Sequence, residues 1–368
     1  MITAFTFIPA SIRADWPFGF WLHLLIFGIG IILLLLSSVI IFIWFERRLV
    51  GRFQLRPGPN RTGPFGLLQS VADVFKILTK EDIIPSRADK LLFWIAPVIA
   101  FSPVVIMLAV VPIAGGALLA DLNVAVLFVI AMSSITSLGV FTAGFASYNK
   151  YSLLSSMRVV AQFISYEIPL ILSLAGVVIL TGSLSLDAMV KAQSVPFIFL
   201  QPTGFFIFFI ASLAEISRSP FDLLEADSEL VAGYNIEYSG MKFATFYLTE
   251  YCEAIVLSTL TATIFLGGWQ GPWLPPFLWL LLKIGLVFSI IVWIRSTLSR
   301  LRIDQVMGFA WKFLLPLAVF NILLTAATTV FWPELPAWMS GLFNLALLLV
   351  YVLVRSRFFK PGGEAVGA

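Results

Sequence analysis

Runs of about 20 apolar residues recur along this chain, and a run of that length spans the hydrocarbon core of a bilayer as one helix. Nine such windows lie at roughly 19–45, 91–113, 123–146, 160–181, 197–214, 246–268, 277–298, 308–331 and 338–355. Backbone polar groups in lipid must be satisfied within the segment, so windows of this kind fold as helices. The fold class expected is therefore an all-α polytopic membrane protein with about nine transmembrane helices. Composition agrees: 60% of residues are hydrophobic and 12% charged, where soluble domains carry about 25% charged residues. The first window is long for one crossing and is expected to tilt or to project from the bilayer.

The basic residues fix an orientation. Twenty Lys and Arg fall in 46–90, at 150 and 158, at 218 and 242, in 295–312 and at 355–360. Nine alternating helices place all of these on one side and only Arg13 and Lys191 on the other, with Lys283 inside a span. By the positive-inside rule the N-terminus is outside and the C-terminus cytoplasmic, in a cell (inner) membrane. An eight-helix count would strand the basic C-terminus outside. The net charge of +3 is too small to argue for nucleic acid. The N-terminus MITAFTFIPASIRADWPFGF lacks the basic region and cleavage site of a signal peptide. One cysteine, Cys252, and one histidine, His23, exclude a disulfide framework, a Cys-based metal or iron–sulfur site and a bis-His haem. His23 reads as an interfacial residue. No redox centre is expected in this chain, which reads as one membrane domain over 1–368.

The first cytoplasmic loop, 46–90, has two parts. Residues 47–66 contain Arg47, Arg48, Arg52, Arg56 and Arg61, with Pro57, Pro59 and Pro64 forbidding a continuous helix. Irregular backbone beside a membrane must be buried in protein or line a cavity, so a packed structure is expected here. From 66 to 80, Leu67, Val71, Val74, Phe75 and Leu78 share one helical face and Gln69, Asp73, Lys76 and Lys80 the other. That is the pattern of an amphipathic interfacial helix.

Several polar residues lie at membrane depth. Glu167 falls about seven residues into the fourth window, where a carboxylate is costly and usually functional. Lys283 sits in the seventh window with no acid near it in sequence, so a carboxylate on another helix would be a fitting partner. Ser133, Ser134, Thr136 and Ser137 make a polar patch in the third, which helix packing through small residues explains equally well. The segment EISRSPFDLLEADSELVAGYNIEY, Glu215 to Tyr238, gathers six of the chain's 20 acids: Glu215, Asp222, Glu225, Asp227, Glu229 and Glu237. Pro220 interrupts the helix, and beyond it Asp222, Glu225 and Glu229 would share one face of a helix. Like charges at that spacing repel unless solvated, neutralised or partly protonated. A solvated acidic loop is one reading. The interleaved Phe221, Leu223, Leu224, Leu230, Val231 and Tyr234 favour burial, and close, partly buried carboxylates suit a proton relay.

At these residues the chain resembles a known family. LAEISRSPFDLLEADSELVAGYNIEYSG is similar to the signature loop of the H subunit of bacterial NADH–quinone oxidoreductase (complex I), equivalent to mitochondrial subunit 1. ERRLVGRFQLRPGPNRTGPFGLLQSVADVFK, GFASYNKYSLLSSMRVVAQFISYE and WIRSTLSRLRIDQVMGFAWKFLLP match further signatures, and the resemblance covers roughly 40–320. It implies a subunit that joins the peripheral arm to the membrane arm and forms much of a quinone chamber. The substrate would be ubiquinone or menaquinone, with FMN and iron–sulfur clusters held by partner subunits. Partners implied are the peripheral-arm subunits, small membrane subunits, antiporter-like subunits and lipids. Residues 214–245 would be the acidic loop of the chamber.

The resemblance also implies roles. Arg47, Arg56, Asp73, Tyr247 and Glu250 would lie along the quinone path. Glu167, Glu215, Asp222, Glu225, Asp227, Glu229 and Glu237 would form the proton relay, and Arg218 a structural ion pair. No residue is assigned a catalytic or metal-binding part. Some members carry a glutamate in the third span where this chain has Ser133 and Ser134, so a relay through that position is not expected. Two other readings remain open at this point. One is the homologous membrane subunit of a membrane-bound hydrogenase or F420H2 dehydrogenase. The other is a stand-alone ion-coupled transporter using Glu167 and Lys283.

Overall fold

A computed structural model describes residues 17–113, 120–224, 233–332 and 337–358. All its regular elements are helices: α1 (Pro17–Phe53), α2 (Leu68–Leu78), α3 (Lys90–Leu108), α4 (Ala125–Ala146), α5 (Lys150–Thr181), α6 (Leu186–Ala192), α7 (Phe197–Leu200), α8 (Pro202–Glu215), α9 (Gly240–Phe265), α10 (Pro276–Thr297), α11 (Ile303–Phe309), α12 (Leu315–Phe331) and α13 (Ala337–Phe358). A π-helical turn, Ala310–Leu314, joins α11 to α12 into one rod. Eight of these helical segments are long and apolar enough to cross a membrane. The expected fifth span departs from that pattern. The chain breaks at Gln201, so this window holds the four-residue α7 and the 14-residue α8. Pro202 has no N–H to continue the preceding helix, which accounts for the break.

Helix lengths differ from the windows where polar residues extend a helix past the oily run. The first helix has 37 residues, about 55 Å at 1.5 Å per residue, so it outruns a bilayer core of about 30 Å. The helix of the fourth window begins ten residues earlier, at Lys150, because Asn149 caps the backbone N–H of Tyr151. Glu167 therefore sits mid-helix on α5 instead of near its start. Asp89 caps α3 in the same way, accepting from Leu91 and Leu92.

Helix α9 is the central post: 83% of its most apolar window is buried. Around it, small residues let backbones approach closely. Gly139 of α4 lies against Ala100 of α3, and Gly144 of α4 against Ser156 of α5. Gln162 on α5 donates to the carbonyls of Ala214 (2.6 Å) and Phe221 (3.0 Å). One amide thus pins both the end of α8 and the chain beyond it. Residues 216–224 form turns and irregular backbone, and most of the helical face that Asp222, Glu225 and Glu229 would share lies outside the described residues. Glu225, Asp227 and Glu229 lie outside the described residues, as does the side chain of His23.

Candidate functional site

The centre of the site is a buried arginine. Arg218 follows α8 in a turn pinned by Gln162 and is 3% exposed. Its Nη1 donates to Oε1 of Glu46 at 2.9 Å, and its Nε lies 2.9 Å from Oε1 of Glu250. Arg295 of α10 also pairs with Glu46. The guanidinium carbon stands 4.4 Å from the ring centre of Tyr251, a cation–π distance. Four distant parts of the chain thus meet: the end of α1, the turn after α8, α9 and α10. Burial works against the charge on Arg218, but Glu250 and Glu46 outweigh it and hold the guanidinium above the ordinary arginine range. The resemblance implies an ion pair at Arg218, but the sequence does not reveal two of its neighbours, Glu46 and Arg295. In sequence Glu46 looks like one more charge at the mouth of a basic loop.

From Glu250 the carboxylates continue inward. Glu253, one turn further along α9, interacts electrostatically with Glu250 on one side and Glu215 on the other. Glu215 in turn interacts with Glu167. Three adjoining cavities follow this order. The first is lined by Tyr247, Glu250 and Glu253, and the second by Glu253, Glu215, Glu167 and Ser133–Ser134. The third is apolar and runs on from Glu215 and Glu253 past Met107, Leu174 and Phe208. Glu253 lines all three, yet it is not among the expected site residues. Its spacing of three from Glu250 is visible in sequence, but nothing in the sequence shows that Glu215 lies beside it.

The third-span serines each meet one of these carboxyls. Ser134 hydrogen-bonds the Glu167 carboxyl, and Ser133 lies within hydrogen-bond reach of Glu215. Of the remaining acids, Glu237 accepts from Asn149 Nδ2 at 2.8 Å, near the mouth of α5. Asp222 is half-buried in the turn after Arg218. Lys283 meets no carboxylate among the described residues; it donates to the carbonyls of Gly268 (2.8 Å) and Gln270 (2.7 Å). These groups follow the C-terminal end of α9, where carbonyls are left without helical partners.

The first loop folds back on itself at two glycines, but most of residues 52–65 are exposed in this chain, unlike the buried backbone expected. Gly58 lies on the backbone of Arg47 and Arg48, and Gly66 on that of Pro59. The Arg48 guanidinium sits 5.3 Å from both the Trp44 and Phe65 rings. Arg47 pairs with Asp73 of α2, and Tyr247 and Tyr251 lie in its electrostatic neighbourhood. The Tyr247 and Tyr251 hydroxyls are 3.2 Å apart. Arg47, with its partner Asp73, thus neighbours Tyr247 and Tyr251, and Tyr251 and Glu250 both face Arg218. Arg56 stands apart, exposed and bonded to Gln54.

A family model described as NADH dehydrogenase matches residues 25–326. The H subunit of NADH-quinone oxidoreductase from Dehalococcoides mccartyi is 57% identical over 347 residues, covering 94% of this chain and 98% of the relative. The proteins of the same name from Brevibacillus brevis and Bacillus mycoides are 50% and 51% identical. They cover 84% and 83% of this chain and 94% and 95% of their own lengths. None of these three is a hydrogenase subunit, an F420H2 dehydrogenase subunit or a stand-alone transporter. With its membrane-spanning helices, this chain belongs to the family of NADH-quinone oxidoreductase H subunits, the multi-pass membrane subunits of complex I.

Proposed function

We propose that this chain forms the membrane wall of a quinone chamber and passes the charge change of quinone reduction into a buried carboxylate series. The observation that carries the reading is the continuity from Arg218 through Glu250, Glu253 and Glu215 to Glu167. Arg47, Asp73 and Tyr247 line the approach, with Arg56 at its outer rim. Asp222 and Glu237 flank the relay, and Glu225, Asp227 and Glu229 would extend it. Partner subunits supply electrons through FMN and iron–sulfur clusters. The basic loops face the cytoplasm, where the peripheral arm docks.

The chemistry needs only electrostatics. Reducing a quinone takes up two electrons and two protons, and charge arising beside Glu250 alters the energy of every ionisable neighbour. A proton on one carboxyl changes the field at the next, so charge arising at Glu250 is felt at Glu253, and Glu253 and Glu215 feel each other's charge. Ser133 and Ser134 supply hydroxyls that hydrogen-bond either protonation state.

The test is Glu253→Gln in the intact complex reconstituted into vesicles. Glutamine keeps the size and loses the proton site. Quinone reduction is expected to persist while proton pumping loses most of its amplitude. Full retention of both activities would remove Glu253 from the path and sink the reading.

A further inference from the structure

On α5, α8, α12 and α13, away from the carboxylates, lies a second set of buried polar groups. Gln201 and Asn321 are 0% exposed and Asn344 1%. Gln201 Nε2 donates to Thr325 Oγ1 at 3.0 Å, and Asn344 Nδ2 donates to the carbonyls of Leu200 (3.3 Å) and Ser340 (3.0 Å). Both side-chain polar atoms of Asn321 and Oε1 of Gln201 have no hydrogen-bond partner among the described residues. Buried amides are almost always satisfied by protein or by ordered water.

Two glycines show that Gln201 Oε1 and Asn321 Nδ2 border one space. A Cβ at Gly176 of α5 would lie 3.0 Å from both amide atoms of Gln201 and 3.1 Å from Asn321 Nδ2. A Cβ at Gly204 of α8 would lie 3.0 Å from Gln201 Oε1 and 3.4 Å from Asn321 Nδ2. The two amides therefore face each other over a floor from which side chains are missing. The space offers one unpartnered donor group, Asn321 Nδ2, and one unpartnered acceptor, Gln201 Oε1. Neither group is charged. A cation would meet the Asn321 amino group, and an anion would meet the Gln201 carbonyl oxygen. A neutral ligand that both donates and accepts fits the two atoms.

We propose that Gln201 and Asn321 hold a buried water inside the helix bundle. Its place explains why it is needed. Gln201 is the residue at which the fifth span breaks, with φ −131° and ψ 63° between α7 and α8. A break in a membrane helix is tolerated where neighbouring helices, side chains and ordered waters satisfy the freed groups. Here Asn344 takes the Leu200 carbonyl, Thr325 accepts from Gln201, and the water ties Gln201 Oε1 to Asn321. The broken span is thereby fastened to α12 and α13 by neutral hydrogen bonds.

The experiment is electron cryo-microscopy of the intact complex at a resolution that shows ordered waters, for the wild type and for Asn321→Leu. Leucine is close to asparagine in shape and can neither donate nor accept. The wild type is expected to show a density peak within hydrogen-bond distance of the Asn321 amide and Gln201 Oε1, and the variant is expected to lose it. A wild-type map with the two amides hydrogen-bonded directly, and no peak between them, overturns the proposal. So does a peak held by oxygens alone at metal-ion distances. The wild-type map decides even if the variant fails to assemble.

Discussion

Complexes carrying Arg218→Met are expected to be scarce in membranes and to melt well below the wild type. Methionine fills much of the space but leaves Glu46 and Glu250 without the cation between them. Removing one partner of a buried ion pair costs about 3–5 kcal/mol, because the remaining charge stays out of water. Domain stabilities are about 5–15 kcal/mol in total, so this one change takes a large share. Arg295 still reaches Glu46, which leaves Glu250 as the carboxylate most affected by the loss. Arg218→Lys should fall between the two, because an ammonium restores charge but not the planar fork that meets two carboxylates at once. Adding Glu250→Gln to Arg218→Met should recover part of the loss. The measurements are subunit abundance in membranes and the melting temperature of the purified complex. Wild-type values for Arg218→Met would mean that water, not Arg218, neutralises these acids.

Gly139→Leu is expected to separate α3 from α4 and to abolish a stable subunit. A Cβ at Gly139 would come 2.6 Å from the backbone nitrogen of Ala100 and 2.7 Å from its Cα. Backbone cannot swing aside as a long side chain can, so the helices themselves must part. Overpacking by extra methylenes in a core that can partly adjust already costs about 1–3 kcal/mol, and here the whole side chain lacks room. Gly139→Ala should show a smaller effect of the same sign. Gly285 of α10 is the control, since a Cβ there would meet nothing within 4 Å; Gly285→Ala should leave abundance unchanged. Equal abundance for Gly139→Leu and Gly285→Ala would show that α3 and α4 are not packed as described.

The apolar windows locate eight long helices because membrane insertion depends on local composition, which any 20-residue segment carries by itself. They do not reveal that the fifth window is broken at Gln201 into α7 and the 14-residue α8. A hydropathy window averages over the Gln201–Pro202 break and cannot register that neighbours repair it. The start of α5 escapes them for the opposite reason. Its first turns are helical through the Asn149 cap and through packing, as Ser152 bonds the Tyr234 carbonyl, and their composition is not oily.

The site divides along the same line. A costly charge at membrane depth, Glu167, and the clustering of acids from Glu215 onward are legible in the chain alone. So is the exclusion of a helix through the Pro-Gly-Pro loop. Which charges face one another is settled by packing. Glu46 and Arg218 are 172 residues apart and Glu46 and Arg295 249 apart. Glu253 occupies the middle of the carboxylate series because α9 stands at the centre of the bundle. Lys283 does without its expected acid because carbonyls beyond α9 accept its hydrogen bonds. Desolvation is a property of one residue and its depth, so sequence reveals it. Pairing depends on distances of a few ångströms between helices far apart in the chain, and packing alone sets those.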